Sequence, residues 1–201
     1  MTELSSLRGL VFDLDGTLAD SRLDFPAMRA ETGCPEGTGL LEYIGALDSE
    51  AERLRANAVI HHYEMLGASA ASWIPGAQEL LAQLTQASLP IGIFTRNSRE
   101  AAGLMINSLA IPCDTLIARE DAVAKPDPEG LLKIARGWEL DVQELLCVGD
   151  FLYDLQAASN AGMRSCLYDP LGSSPHTGHA DLVVRHFDEL GAMIFGDPLH
   201  D

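Results

Sequence analysis

Apolar residues fall in two rhythms along this chain. Leu10, Val11 and Phe12 form a short continuous run, as expected of a strand buried on both faces. The stretches 90–95 (P-I-G-I-F-T), 115–118, 145–148, 164–168 and 182–184 repeat that signature. Between them apolar positions recur at helical spacing. This predicts helices over 77–86, over 98–108 with Ser98 as cap, and over 128–137 with Pro128 in the first turn. Two more are predicted, from about 150 to Asn160 closed by Gly162, and over 186–195. Strands alternating with helices predict an α/β fold, a parallel sheet with helices on both faces.

Residues 20–75 keep a different rhythm. They contain no convincing strand, and Gly33, Pro35, Gly37 and Gly39 break the chain. A short helix is expected over 24–31, with Pro26 in its first turn. A longer one is expected from Asp48 to Leu66, presenting Ala51, Leu54, Ala58 and Val59 on one face and stopped by Gly67. The organisation predicted is a small helical lobe, 20–75, inserted into a core made of 1–19 and 76–201.

Composition narrows the class. With 201 residues, 47% of them hydrophobic, the chain can build one full core. No apolar run approaches a membrane span, so no membrane association is expected. The first residues lack a basic segment followed by an apolar one, so no signal peptide is expected. Four scattered cysteines with no C-x-x-C spacing read as reduced, mostly buried thiols of a cytoplasmic protein. A formal net charge of -17 argues against nucleic acid as a partner. It also makes the few cations informative, since only Lys125 and Lys133 are lysines. Nothing in the pattern sets an oligomeric state.

Candidate chemistry gathers where the strands end. The first strand runs into D-L-D-G-T, Asp13 to Thr17. A D-x-D-G-T string arises by chance at about one start in a hundred thousand. In open α/β sheets, ligands bind beyond the carboxyl ends of strands. Asp13, at the strand end, is the candidate nucleophile; Asp15, after the turn, is the candidate general acid and base. Gly16 permits the turn, and Thr17 offers a hydroxyl to hold it. Thr95 ends a second strand, where its hydroxyl and the N–H groups of the following helix suit a phosphate oxygen. Lys125, stiffened by Pro126 and Pro128, can project an ammonium into a cleft. Asp150 ends another strand and Asp154 lies one helical turn on, hard oxygen ligands suited to Mg²⁺.

These motifs together resemble the haloacid dehalogenase-like hydrolases: V-F-D-L-D-G-T-L (11–18), Thr95 after I-G-I-F, Lys125 in A-K-P-D-P, and G-D-F-L-Y-D (149–154). Nearly the whole chain takes part in the resemblance, within its phosphoglycolate phosphatase-like group. It implies a Rossmann-like core with a small helical cap closing over a small phosphorylated metabolite. It implies an aspartyl-phosphate on Asp13 and proton transfer through Asp15. Mg²⁺ would be held by Asp13, the Asp15 carbonyl and Asp150, supported by Asp154. Thr95 and Lys125 would steady the phosphoryl oxygens. The expectation is thus a Mg²⁺-dependent phosphatase of small monoesters. A phosphomutase of the β-phosphoglucomutase type shares all four motifs, and a non-catalytic phosphate-binding module is the alternative outside catalysis. Where many relatives carry Asn directly after the second-motif residue, this chain has Arg96, then Asn97. Either can touch substrate, and Arg96 is a candidate cation for an anionic leaving group. The lobe offers Arg22, Arg29, Arg53, Arg55, His61 and His62, of which one or two are expected to face the site.

Overall fold

The computed structural model describes Leu4 and residues 6–196. Six strands, β1 (Gly9–Phe12), β4 (Ile91–Phe94), β5 (Thr115–Ile117), β6 (Leu145–Gly149), β7 (Arg164–Tyr168) and β8 (Leu182–Val184), form one sheet in the order β5-β4-β1-β6-β7-β8. Every pairing is parallel, as the alternating pattern predicts. β1 is central because its four residues are all buried, so both faces must be covered. Leu10 and Phe12 point into the core beneath α4 (Ala77–Gln86), α5 (Arg99–Leu109) and α8 (Phe187–Phe195). Val11, of opposite parity, packs with residues of α6 (Glu129–Trp138) and α7 (Leu152–Ala161). From β1 the sheet grows to β4 and β5 on one side and to β6, β7 and β8 on the other. The crevice beyond β1 is therefore a topological switch point.

The segment between β1 and α4 departs from the reading of the sequence in several places. Helix α1 (Phe25–Thr32) forms as expected, with the Asp24 side chain accepting the Ala27 N–H at 2.9 Å. A second helix, α2 (Leu40–Gly45), follows the glycine-rich stretch that hid it; no side chain caps it. Helix α3 (Glu50–Ala70) begins later than expected, capped by Ser49, and it runs through Gly67. A Cβ at Gly67 would lie 2.8 Å from the Ser21 carbonyl oxygen, so this glycine serves a close packing contact rather than a helix stop. The expected face is also wrong. Leu54 is exposed along with Ala51 and Ala58, whereas Ala56, Ile60, Glu64 and Ala68 are buried.

Two short strands, β2 (Ala19–Asp20) and β3 (Ser72–Trp73), pair antiparallel where the segment leaves and rejoins the sheet. Between them α1, α2 and α3 bury a small core of their own, Met28, Cys34, Leu40, Ile44, Ala56 and Ile60. Among the described residues, no helix is long and apolar enough to cross a membrane. The four cysteines are free, and Cys34, Cys147 and Cys166 are buried.

Candidate active site

β1 delivers Asp13 to the sheet's carboxyl edge, where the Asp13 N–H still donates to the Val148 carbonyl at 2.8 Å. On one side Thr95 directly follows β4; on the other β6 ends at Gly149 and the chain turns through Asp150 into α7. Lys125 reaches in from the β5–α6 connection. Its ammonium donates to Asp13 Oδ1 and to Asp154 Oδ1, both at 2.6 Å, and the side chain is only 3% exposed. The second oxygen of Asp154 accepts the Phe151 N–H at 3.1 Å, and Asp150 Oδ1 accepts the Thr17 hydroxyl at 3.1 Å. Thr17 thus holds the fourth-motif carboxylate rather than its own turn. Asp13, Asp150 and Asp154 each place an oxygen within 4.8 Å of the others.

The electrostatics follow from crowding three carboxylates where water is scarce. Burial pushes Asp13 up to about 8, opposed by Lys125 and reinforced by Asp154 and Asp150. Burial and then Asp154 push Asp150 up to about 6. Burial alone would lower Lys125, but the two carboxylates beside it outweigh that and hold its ammonium above the usual lysine range. The ammonium is therefore a fixed positive charge. One cation among three carboxylates leaves an excess of negative charge on hard oxygen donors, the chemistry that suits a divalent ion such as Mg²⁺. The donor set fits such an ion.

The remaining site residues expected from the sequence lie around this cluster. Asp15 turns its carboxylate to Ser21, whose N–H donates at 3.1 Å and whose hydroxyl donates at 2.5 Å. Burial raises Asp15 above the ordinary carboxylate range, and the two Ser21 contacts oppose this. Thr95 and Asn97 are buried, and Thr95 Oγ1 accepts the Asn97 N–H at 3.2 Å. Arg96 is engaged at both terminal nitrogens and over one face. Its Nη2 donates to both oxygens of Glu42 at 2.7 and 2.8 Å, its Nη1 donates to the Lys125 carbonyl at 2.8 Å, and its carbon lies 4.5 Å over the Tyr153 ring. Of the lobe's basic and histidine side chains, Arg22 and Arg29 line the cavity above the cluster. Arg53 instead binds the Leu47 and Asp48 carbonyls, and His61 sits 3.5 Å from Glu100.

Four participants had no role in the sequence reading: Ser21, Glu42, Glu64 and Arg119. Glu64 on α3 is 4% exposed, accepts Arg119 Nη1 at 2.6 Å and Nη2 at 3.2 Å, and accepts the Ser98 N–H at 3.2 Å. Glu64 and Arg119 both line the cavity. Ser21 lies six residues from Asp15, near enough for a local signal. Glu42–Arg96 and Glu64–Arg119 join residues more than 50 positions apart and carry no local one.

The cavity spans about 680 Å³ between the strand ends and α1–α3. Acids and a buried ammonium thus meet at the carboxyl edge of a parallel α/β sheet, in a cluster of hard oxygen donors. The family model of the haloacid dehalogenase-like hydrolases matches residues 7–162, and the chain belongs to this family. The chain is 30% identical over 214 residues to N-acetylmuramic acid 6-phosphate phosphatase of Pseudomonas putida, covering 94% of this chain and 96% of that one. It is likewise 30% identical over 222 residues to phosphoglycolate phosphatase of Yersinia pseudotuberculosis, covering 94% of each. A haloacid dehalogenase-like hydrolase from Streptococcus pneumoniae shares the fold, with a TM-score of 0.74 at 21% identity over 93% of this chain and 98% of that one.

Proposed function

We propose that this protein is a Mg²⁺-dependent phosphatase of a small phosphate monoester, working through a phosphoryl group carried on Asp13. In this reading residues 20–75 form a cap over a core made of 1–19 and 76–201. The observation that carries it is the Lys125 ammonium bonded to Asp13 on the floor of a cavity where three carboxylates meet. Relatives at 30% identity that bear phosphatase names support the same reaction class.

Asp13 attacks phosphorus, and the bond from phosphorus to the ester oxygen breaks as Asp15 gives that oxygen a proton. Asp15 then takes a proton from water, whose oxygen attacks the phosphorus of the acyl phosphate. Inorganic phosphate leaves and the Asp13 carboxylate is restored. Burial shifts Asp15 in the direction a proton donor needs, and Ser21 orients it. Lys125 and Thr95 hold the phosphoryl oxygens. Asp13, the Asp15 carbonyl and Asp150, with Asp154 alongside, would hold Mg²⁺, which when bound offsets the repulsion between phosphate and carboxylates.

Phosphate release over a panel of small esters tests the proposal. The expected result is release that requires Mg²⁺, stops with EDTA and falls on the order of 10³-fold or more in Asp13→Asn. Release that survives EDTA, or that the substitution leaves intact, contradicts it.

A further inference from the structure

Arg96 follows Thr95 just past β4, and its guanidinium reaches three other parts of the chain. Nη2 donates to both carboxylate oxygens of Glu42 on α2, Nη1 donates to the Lys125 carbonyl, and Cζ lies over the ring of Tyr153 on α7. Tyr153 is the neighbour of Asp154, one of the two carboxylates that hold the Lys125 ammonium. Arg96 therefore touches the backbone of Lys125 and the residue beside its partner, from outside the carboxylate cluster.

The segment that carries Lys125 is held largely from elsewhere. Pro126 and Pro128 have no N–H, so residues 125–128 supply few donors of their own. The Asp127 N–H closes one turn onto the Ala124 carbonyl at 3.1 Å. The next two carbonyls are bound by distant side chains, Lys125 by Arg96 Nη1 at 2.8 Å and Pro126 by Asn160 Nδ2 at 3.0 Å. Among the described residues the Lys125 carbonyl accepts no other hydrogen bond.

Helix α2 meets the core at the same guanidinium. Its buried residues, Leu40 and Ile44, pack with Met28 of α1 and with Ala56 and Ile60 of α3, inside the helical segment. Glu42 turns the other way, to Arg96, and a Cβ at Gly39, just before α2, would lie 3.3 Å from the Tyr153 hydroxyl. Leu40 and Leu41 line the cavity. The Glu42 side chain is 45% exposed and that of Arg96 21%. An ion pair this open to water adds little to folding stability, so its main effect is on where the groups sit.

Resting on the phosphatase reading above, we propose that Arg96 is a positioning residue that ties the seating of α2 over the cavity to the placement of the Lys125 ammonium on Asp13. Glu42 orients the guanidinium from one side. On the other, the guanidinium fixes the backbone from which Lys125 projects. Phosphoryl transfer is then fastest with α2 seated, although Glu42 and Arg96 act only through Lys125.

The chain has two lysines, so protein carrying ¹³C at the lysine Cε atoms gives one NMR signal from each. Lys133, paired with Glu129 on α6, is the internal control. Glu42→Gln changes no group that touches Lys125, yet it is expected to move the Lys125 signal and leave that of Lys133 in place. In an Arg96→Gln background it is expected to move nothing further. kcat is expected to follow the same pattern, falling about 10- to 100-fold in either single variant with KM less changed, and no further in the double variant. A Lys125 signal that Glu42→Gln leaves in place, or moves equally with and without Arg96, overturns the proposal. So do losses of kcat that multiply, or losses confined to KM. Should Arg96→Gln fail to fold, Glu42→Gln decides alone: a moved Lys125 signal with lowered kcat supports the proposal, and an unmoved signal overturns it. Release of phosphate from no ester in the wider panel fails the phosphatase reading, while the lysine signals still decide the coupling.

Discussion

Lys125 and Gly16 show how single residues set the site. The ammonium of Lys125 is buried between Asp13 and Asp154, so it acts as a fixed charge that cannot swing into solvent. Gly16 sits at φ +87°, a left-handed conformation that side chains rarely adopt, and a Cβ there would lie 2.6 Å from Asp150 Oδ2. Gly16→Ala therefore strains the turn and pushes Asp150 from the carboxylate cluster. The expected cost is about 1–3 kcal/mol in denaturant titration, with a larger proportional loss of phosphate release. An unchanged midpoint together with unchanged activity would show that the turn accommodates a side chain. Both residues were legible because each stands in a short motif, Gly16 just past the end of β1 and Lys125 in the β5–α6 connection. The turn needs a glycine, and a double-proline frame needs a reason to hold a scarce lysine.

At the scale of elements, α3 decides how the helical segment seats on the sheet. Glu64 carries that contact, taking both Arg119 nitrogens and the N–H of Ser98, the cap of α5. Removing Glu64 leaves the partly exposed Arg119 guanidinium without its carboxylate and the Ser98 N–H without its acceptor, so Glu64→Ala is expected to destabilise by about 1–3 kcal/mol. Replacing both partners with apolar residues is expected to cost much less, because no lone charge remains. Thermal melting of the two variants tests this, and equal losses would mean that the pair matters by packing alone. Sequence could not place this contact. Apolar and polar residues are mixed around α3, so the buried face is chosen by what packs against it, and the Leu54 face loses. The β2–β3 ribbon was hidden for a related reason. Each strand is two residues long, and the pairing joins Ala19 to Trp73 across the whole inserted segment. β1, β4 and β6 were legible because each is buried throughout, and a strand buried on both faces must be apolar without interruption.

Over the whole molecule, the topology brings distant motifs to one edge. Strands placed side by side in parallel must end together, so Asp13, Thr95 and Asp150 converge however far apart they lie in sequence. That much of the site was legible from strand ends. The roof was legible only as a set of candidates that included Arg29, because which side chains of α1 and α3 reach the cavity, Arg29 and Glu64 among them, is set by how these helices pack, which no local pattern encodes. The account comes down to whether Asp13 itself takes the phosphoryl group. Rapid acid quench during turnover of an accepted ester with Mg²⁺, followed by peptide mass spectrometry, tests this directly. The account predicts a phosphoryl adduct on the peptide bearing Asp13 and none in Asp13→Asn. Steady phosphate release with no adduct, or with the adduct on another residue, would contradict it.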